Sequence, residues 1–365
     1  MKIVRTEIYR YNIKMEPFVI ATGTMYHASN VLIKMFTDEG ITGIGECSPF
    51  PFIVGETQDT CMVMAKYFGE QLKGKDPLDI QARWNEIEAL TARNATAKSA
   101  FDMALYDIGA KHAKQPLYKF LNGEKREVET DITIGIGTPD EMKNAALKYV
   151  SQGATMLKIK LGKKAKEDVE RIRAIRTAIG TNIKLRVDAN QGWSFEDALF
   201  ALNELAQYDI QFCEQPMRTW LDDFLPELNA QSKVPIMADE SCYHAQDARR
   251  LIKTNSCKYI NIKFAKSGGF TESKKIHDIA NAANMPCMIG SMLESRLALT
   301  ANLHFAYASP NVQFFDLDTS IMGQLQDPVI GGVQYKGFHL HIDDAIGIGA
   351  DVDEVFLNNC EKIIV

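Results

Sequence analysis

Five short apolar runs in the middle of the chain each stop on a charged residue. TMLKIK ends at Lys160, IKLRVD at Asp188, IQFCE at Glu214, VPIMAD at Asp239 and KYINIK at Lys263. A strand with one wet face alternates apolar and polar positions. These runs are apolar almost throughout, as parallel strands buried on both faces are. Their charged ends are spaced 28, 26, 25 and 24 residues apart, room for one strand, one helix and two connections. The same rhythm continues on both sides, with strand-like runs beginning near 130, 155, 183, 210, 235, 258, 286 and 312. Helical stretches separate them, among them Pro139–Gln152, Glu167–Ile179, Ser194–Gln207 and Thr271–Asn284. Strand and helix in alternation imply right-handed βαβ units and a parallel sheet. Eight strands with seven helices predict an α/β fold, a (β/α)7β TIM-type barrel. An open doubly wound sheet fits less well, because no GxGxxG follows the first strand and five charges converge naturally on one mouth.

The chain before residue 128 has a different pattern. Residues 1 to about 55 read as β, with Val31–Phe36 and Ile41–Glu46 as strands around a turn at Asp38-Glu39-Gly40. Helices are predicted at Thr57–Lys73, Pro77–Leu90 and Lys98–His112, the last with Phe101, Ala104, Leu105 and Ile108 on one stripe. Beyond Pro328 the sequence is again strand- and turn-like. The expected organisation is an α+β capping domain over 1–127, a barrel over 128–328, and a 329–365 segment that returns to the cap.

Composition narrows the function classes. With 46% hydrophobic residues, 24% charged residues and a net charge of −6, the chain carries no basic footprint for nucleic acid. No apolar run is long enough for a membrane span, and MKIVRTEIYRYNIKM lacks the apolar centre of a signal peptide. The seven cysteines are scattered and form no CxxC pair, so free thiols in a reducing cytoplasm are expected. Trp193 and Trp220 are expected to be packing aromatics, His244 a helix-capping residue, and Gly268-Gly269 a tight turn.

The charged strand ends carry the chemistry. Asp188, Glu214 and Asp239 offer only oxygen donors from consecutive strands, which suits Mg²⁺, with Mn²⁺ as a substitute, better than zinc. Three carboxylates leave part of an octahedral shell for substrate, so the ion would be catalytic. Lys158 and Lys160 lie two apart on one strand and point the same way, into the barrel. Lys263 falls four strands on, across the mouth from Lys160, with the acids between. A lysine serves as a base when its pKa is lowered, and a neighbouring cation together with partial burial is expected to do this.

These residues sit in motifs that resemble the enolase superfamily, specifically its muconate-lactonizing subgroup and the dipeptide epimerases within it. The similarity spans nearly the whole chain: SAFDMALYDIGAK, LKIK, VDANQGW, EQP, ADES, NIKFAKSGG and IGSMLES. It implies that Asp188, Glu214 and Asp239 hold the metal and that Lys160 and Lys263 are the acid/base pair. Cycloisomerases and succinylbenzoate synthases share this set, and a catalytically idle peptide-binding protein is a third reading. Asp316-Leu317-Asp318 separates the readings, since the dipeptide epimerases carry such a DxD to hold the substrate ammonium. A buried cation needs paired carboxylates, whereas two acids there would repel a substrate lacking an amine. By matched position, Thr133, Lys158 (beside the substrate carboxylate), Ser291 and Leu293 are further substrate-binding residues.

Side-chain choice should rest with the cap segments near 17–27 and 47–57. Relatives acting on Ala-Glu place an arginine in the first, where this chain has Gly23 within PFVIATGTMYH. A buried glutamate would then lack a partner, a penalty on the order of several kcal/mol. The resemblance therefore implies a Mg²⁺-dependent epimerase that inverts the C-terminal α-carbon of apolar dipeptides of the Ala-Ala or Ala-Val type. D-Ala-containing murein fragments would be one source. The expected partner is a small dipeptide, with neither nucleic acid nor membrane; homo-oligomer formation is left open.

Overall fold

The computed structural model describes residues 1–365. The chain opens with three antiparallel strands, β1 (Ile3–Ile20), β2 (Gly23–Thr37) and β3 (Thr42–Cys47). Their inward-facing residues Ile8, Val31 and Ile33 pack with Phe68, Phe101 and Leu105 from the helices Gln58–Leu72 and Ala95–His112 into a core of their own. Helix Ala95–His112 starts three residues earlier than its apolar stripe predicts and is buried along almost its full length. β3 lies directly on it: a Cβ at Gly45 would come within 1.9 Å of the Ala100 carbonyl oxygen. Beginning at Ile3, β1 covers the stretch MKIVRTEIYRYNIKM, which alternates like a strand, and runs on for five residues past Met15. Its pairing with β2 shifts register between Lys14 and Phe18, where Pro17 has no N–H to give, and the hairpin then continues past the break.

The alternation after residue 128 folds as expected. Eight parallel strands stand in chain order: β4 (Ile132–Ile134), β5 (Met156–Lys160), β6 (Lys184–Asp188), β7 (Ile210–Glu214), β8 (Ile236–Ala238), β9 (Tyr259–Ile262), β10 (Cys287–Gly290) and β11 (Val312–Asp316). The ring closes loosely between β11 and β4, where the Asp131 N–H reaches the Phe315 oxygen at 3.3 Å and the Leu317 N–H donates to Thr130 Oγ1 at 2.9 Å. Phe212, Met237 and Met288 fill the lower interior with Tyr259 and Phe314. Arg186 lies over the Phe212 and Phe314 rings at 5.4 and 5.2 Å. Closed from below by this layer, the barrel opens only toward the carboxyl ends of its strands.

The tail forms two small antiparallel pairs, Val329–Gly331 with Ala350–Val352 and Gln334–Lys336 with His339–His341. It then adds Lys362–Ile364 to the outer edge of β1. No helix is long and apolar enough to cross a membrane. Six cysteines are buried and Cys360 is partly so. Trp193 is buried and donates to Asp168 Oδ2 at 2.9 Å. Trp220 departs from expectation: it is 76% exposed beneath Arg218, a surface residue with no packing role. His244 occupies the cap position of helix Ala245–Lys253, as expected. Gly268 and Gly269 form a left-handed turn against the cap, where a Cβ would meet the Trp84 ring at 2.6 Å and Asp102 Oδ2 at 2.5 Å. That close approach accounts for both glycines.

Candidate active site at the barrel mouth

In a strand, residues two apart share a face, so each strand's final charged residue has a companion one layer deeper. Lys160 stands above Lys158, Asp188 above Arg186, Glu214 above Phe212 and Lys263 above Asn261. Backbone pairing aligns Lys160 with Asp188 and Asp188 with Glu214, which sets these groups side by side on the rim. The chain leaves β6 and β7 through left-handed residues, Asn190 at φ 41° and Gln215 at φ 34°. Asn190 donates its N–H to Asp188 Oδ1 at 2.9 Å, and Gln215 Oε1 accepts the N–H groups of Asp239 and Ser241. Asn190 thus fixes the orientation of Asp188, and Gln215 ties the end of β7 to the turn after β8.

All three predicted acids are fully buried. Lys160 Nζ donates to Asp188 Oδ2 at 2.6 Å and Lys263 Nζ to Asp239 Oδ2 at 2.8 Å. Asn261 donates to Glu214 Oε1 at 2.7 Å. Lys266, also fully buried, lies 2.6 Å from Asp239 Oδ1. Glu214 Oε2 and Asp239 Oδ1 have ammonium groups close by, yet neither accepts an aligned hydrogen bond. Burial and the Asp188 charge push Glu214 up to about 7. Burial opposes ionisation of Asp239, but Lys263 and Lys266 outweigh it and hold that carboxyl far below its usual range. Two unaligned carboxylate oxygens within an all-oxygen donor set on three adjacent strands fit a hard divalent cation.

The lysines differ from one another and from expectation. Lys158 is fully buried, at 2.6 Å from Glu214 and Asp316 and 3.2 Å from Asp188, and its ammonium is held well above the usual range despite burial. It ties the floor of the site together and does not border the open cavity. Burial would lower the pKa of Lys263, but Asp239 and Glu214 outweigh it and raise it. The expected lowering is thus reversed for as long as the charge of those carboxylates is not shared with another cation. Lys160 and Lys263 both border the cavity, four strands apart.

Across the mouth, the three acid groups that approach one another most closely are Asp131, Asp316 and Asp318, whose ligand atoms all lie within 4.8 Å. Each already has a partner: Arg186 on Asp131 at 2.7 Å, Lys158 on Asp316 at 2.6 Å, and the Thr133 N–H on Asp318 at 2.6 Å. Burial, then the Asp316 charge, raises Asp131 to about 8 and Asp318 to about 6. The group therefore takes up positive charge readily. Asp318 also bridges β11 to β4, so it helps close the ring. Ser291 donates its N–H and Oγ–H to the Asp316 carbonyl, and the Leu293 carbonyl accepts from Asn30 of the cap.

The cavity among these residues has a volume of about 50 Å³. Its cap-side wall is Phe18, Ile20, Phe50 and Ile53, and the only cations on its lining are Lys160 and Lys263. Gly23 faces the Phe52 ring. Glu46 locks this cap to the barrel, accepting from Asn30 at 2.7 Å and from the Ser295 N–H at 2.9 Å.

Comparison with known proteins agrees with this geometry. Residues 3–122 match the N-terminal domain of the mandelate racemase / muconate lactonizing enzymes, and residues 141–355 match the enolase C-terminal domain-like family. The chain belongs to the enolase superfamily. Within it, the D-Ala-D/L-Ala epimerase of Cytophaga hutchinsonii is 41% identical over the full length of both chains. The hydrophobic dipeptide epimerase of Enterococcus faecalis is 39% identical over 96% of this chain and 99% of its own. A crystal structure of the Cytophaga hutchinsonii dipeptide epimerase with Mg and D-Ala-L-Val superposes with a TM-score of 0.98 at full coverage of both chains. The Enterococcus faecalis enzyme with Mg and L-Leu-L-Tyr gives 0.93 over 96% of this chain and 100% of its own.

Four polar residues of this superfamily site escaped the sequence reading: Asp131, Asn261, Lys266 and Asn190. Asp131 and Thr133 are two apart, as are Asn261 and Lys263, so the spacing that paired Lys158 with Lys160 also marks the first two. Lys266 acts from the one-turn helix Phe264–Ser267 and Asn190 from a turn, and strand periodicity says nothing about either.

Proposed function

We propose that the protein is a Mg²⁺-dependent isomerase that inverts the α-carbon of the C-terminal residue of apolar dipeptides, of the Ala-Ala or Ala-Val type. The observation that carries this is the placement of Lys160 and Lys263 on opposite walls of one cavity, with the carboxylate trio between them and Asp316 and Asp318 beyond. The dipeptide and Mg complexes of the Cytophaga hutchinsonii and Enterococcus faecalis relatives support it. Asp188, Glu214 and Asp239 would hold the ion, which would supply positive charge opposite the substrate carboxylate as negative charge builds there. Asp316 and Asp318 hold the substrate ammonium, next to Thr133 and Ser291. One lysine, as the free amine, takes the α-proton, and the other, as the ammonium, returns a proton to the opposite face. The reverse reaction exchanges their roles. Lys158 stays charged and fixes Glu214 and Asp316 in place.

The apolar preference rests on the wall of Phe18, Ile20, Phe50 and Ile53, which offers no cation to a glutamate side chain. The cap, barrel and tail would divide near residues 127 and 328, and the unpaired thiols suit a cytoplasmic setting. Incubation of Ala-Ala and Ala-Val with enzyme and Mg²⁺ in D₂O tests the reading by mass and chiral chromatography. Deuterium should enter only the C-terminal α-carbon as that centre inverts. Lys160→Ala and Lys263→Ala should each abolish inversion. Ring closure or loss of water would instead favour a cycloisomerase or β-elimination enzyme, and a preference for Ala-Glu would overturn the specificity assignment.

A further inference from the structure

Residues 48–55 of the cap supply Phe50 and Ile53 to the cavity wall, yet few polar contacts fix them there. The one-turn helix Pro51–Val54 has no side-chain cap at its start and ends on the left-handed Gly55 at φ 73°. A helix this short leaves its last carbonyls without donors of its own. One of them, the Ile53 carbonyl, accepts the phenol of Tyr243 at 2.5 Å. No other hydrogen bond joins residues 48–55 to a residue outside the segment. Through Val54 the segment also borders an open cleft of about 450 Å³, lined by Tyr243 and His244 as well, so no packing backs it from that side.

Tyr243 is itself anchored to the carboxylate trio. It follows Asp239 by four residues, in the turn after β8. The Cys242 N–H closes that turn on the Asp239 carbonyl at 3.0 Å, and Lys266 Nζ donates to the carbonyls of both Asp239 and Cys242. The same ammonium stands 5.7 Å from the centre of the Tyr243 ring, within reach of its π face. The Tyr243 N–H donates to Asp247 Oδ2 at 3.0 Å, which fixes the backbone on the other side. Burial, then the Glu240 and Asp239 charges, raises the phenol, so it stays protonated and able to donate. Contacts thus run without a break from Asp239 through Lys266 and Tyr243 to Ile53 and the cavity.

We infer that Tyr243 is a positioning residue, which sets the cap-side wall of the cavity from the turn that carries Asp239. It does not line that cavity, so it acts on a bound dipeptide only through Ile53 and its neighbours. The inference rests on the epimerase reading above and deepens it. The wall that meets the substrate is held in register with the ion-binding end of β8, and not by the cap alone.

The test combines Tyr243→Phe, which keeps the ring and removes the hydroxyl, with Ile53→Ala, which keeps the accepting carbonyl and removes the wall. Circular dichroism confirms that each variant is folded. Amide hydrogen exchange over residues 48–57, read by mass spectrometry without substrate, should quicken about two- to tenfold in Tyr243→Phe, which is what one neutral hydrogen bond is worth. With Ala-L-Ala and Mg²⁺ in D₂O, KM should rise by a similar factor while kcat stays within about twofold. In the Ile53→Ala background the same substitution should change KM less than about twofold, because the side chain it positions is gone. Unaltered amide exchange, a fall in kcat at constant KM, or an equal rise in KM in both backgrounds would overturn the assignment and leave the epimerase reading intact. A wild type that takes no α-deuterium into any dipeptide would remove the epimerase reading, and the role of Tyr243 in binding with it.

Discussion

Lys266 is fully buried and does not line the cavity at the barrel mouth, so its substitution isolates the worth of a buried support. Its Nζ donates to the carbonyl oxygens of Asp239, Cys242 and Asn261 and lies 2.6 Å from Asp239 Oδ1. It joins the turns after β8 to the strand that leads into Lys263. Lys266→Met keeps most of the volume and removes the charge, leaving one buried carboxylate oxygen without this neighbouring ammonium and three carbonyls without this donor. Breaking a buried pair by deleting one member costs about 3–5 kcal/mol, because the remaining charge stays out of water. The urea midpoint should fall accordingly, with little change in slope. Asp239 would also lose the group that fixes its orientation, and loss of such a support commonly weakens metal binding by about 10–100-fold. The Mg²⁺ concentration giving half-maximal deuterium exchange should rise by that factor. If Lys266→Met unfolds at the wild-type urea concentration and reaches full activity at the same Mg²⁺, the reasoning from buried charge is wrong.

Three further outcomes are expected. Asp316→Asn should lower kcat/KM for dipeptides by about 10–100-fold, as a charged hydrogen bond is worth about 1.5–3 kcal/mol; unchanged kinetics would exclude Asp316 from ammonium binding. Gly23→Arg should raise the kcat/KM ratio of Ala-Glu over Ala-Ala, because it adds a cation to a hairpin tip, residues 17–26, that has no Lys or Arg, with only the exposed Phe52 ring to displace. His304 is buried, accepts from the Tyr118 N–H at 3.0 Å and is pushed down to about 4 by burial. Its unfolded form takes up a proton below about 6.5 while the folded form stays neutral, so this residue's contribution is present above that pH and is lost as the pH falls toward 4. The stability advantage of the wild type over His304→Gln should therefore shrink by about 2 kcal/mol between pH 7 and pH 5 in urea titrations, and a constant difference would refute it.

The barrel was legible because strands buried on both faces announce themselves as apolar runs, and because a charge ends each run where the interior ends. Lys160, Asp188, Glu214, Asp239 and Lys263 all stand where that rule puts them, at the last strand residue or one beyond. The cap was less legible. Pro17 interrupts the alternation of β1, so a strand that runs on to Ile20 after a register shift reads as a loop. The state of the lysines was not legible either. Whether a buried amine is raised or lowered depends on the balance between its carboxylate neighbours and its burial, and Lys263 shows the carboxylates prevailing. Asp131 carries no run of its own, and only the closure of the ring brings it to Asp316 and Asp318.

The segment Lys362–Ile364 pairs with Glu7, Ile8 and Tyr9 of β1. During synthesis, the outer edge of β1 therefore stays bare until the entire barrel has emerged from the ribosome. An unpaired edge in a nascent chain invites contact with other chains. Polypeptides stalled between the barrel and this last strand should thus be the aggregation-prone species, and a fusion that hinders the late strand should lower the yield of soluble protein far more than one at an exposed loop.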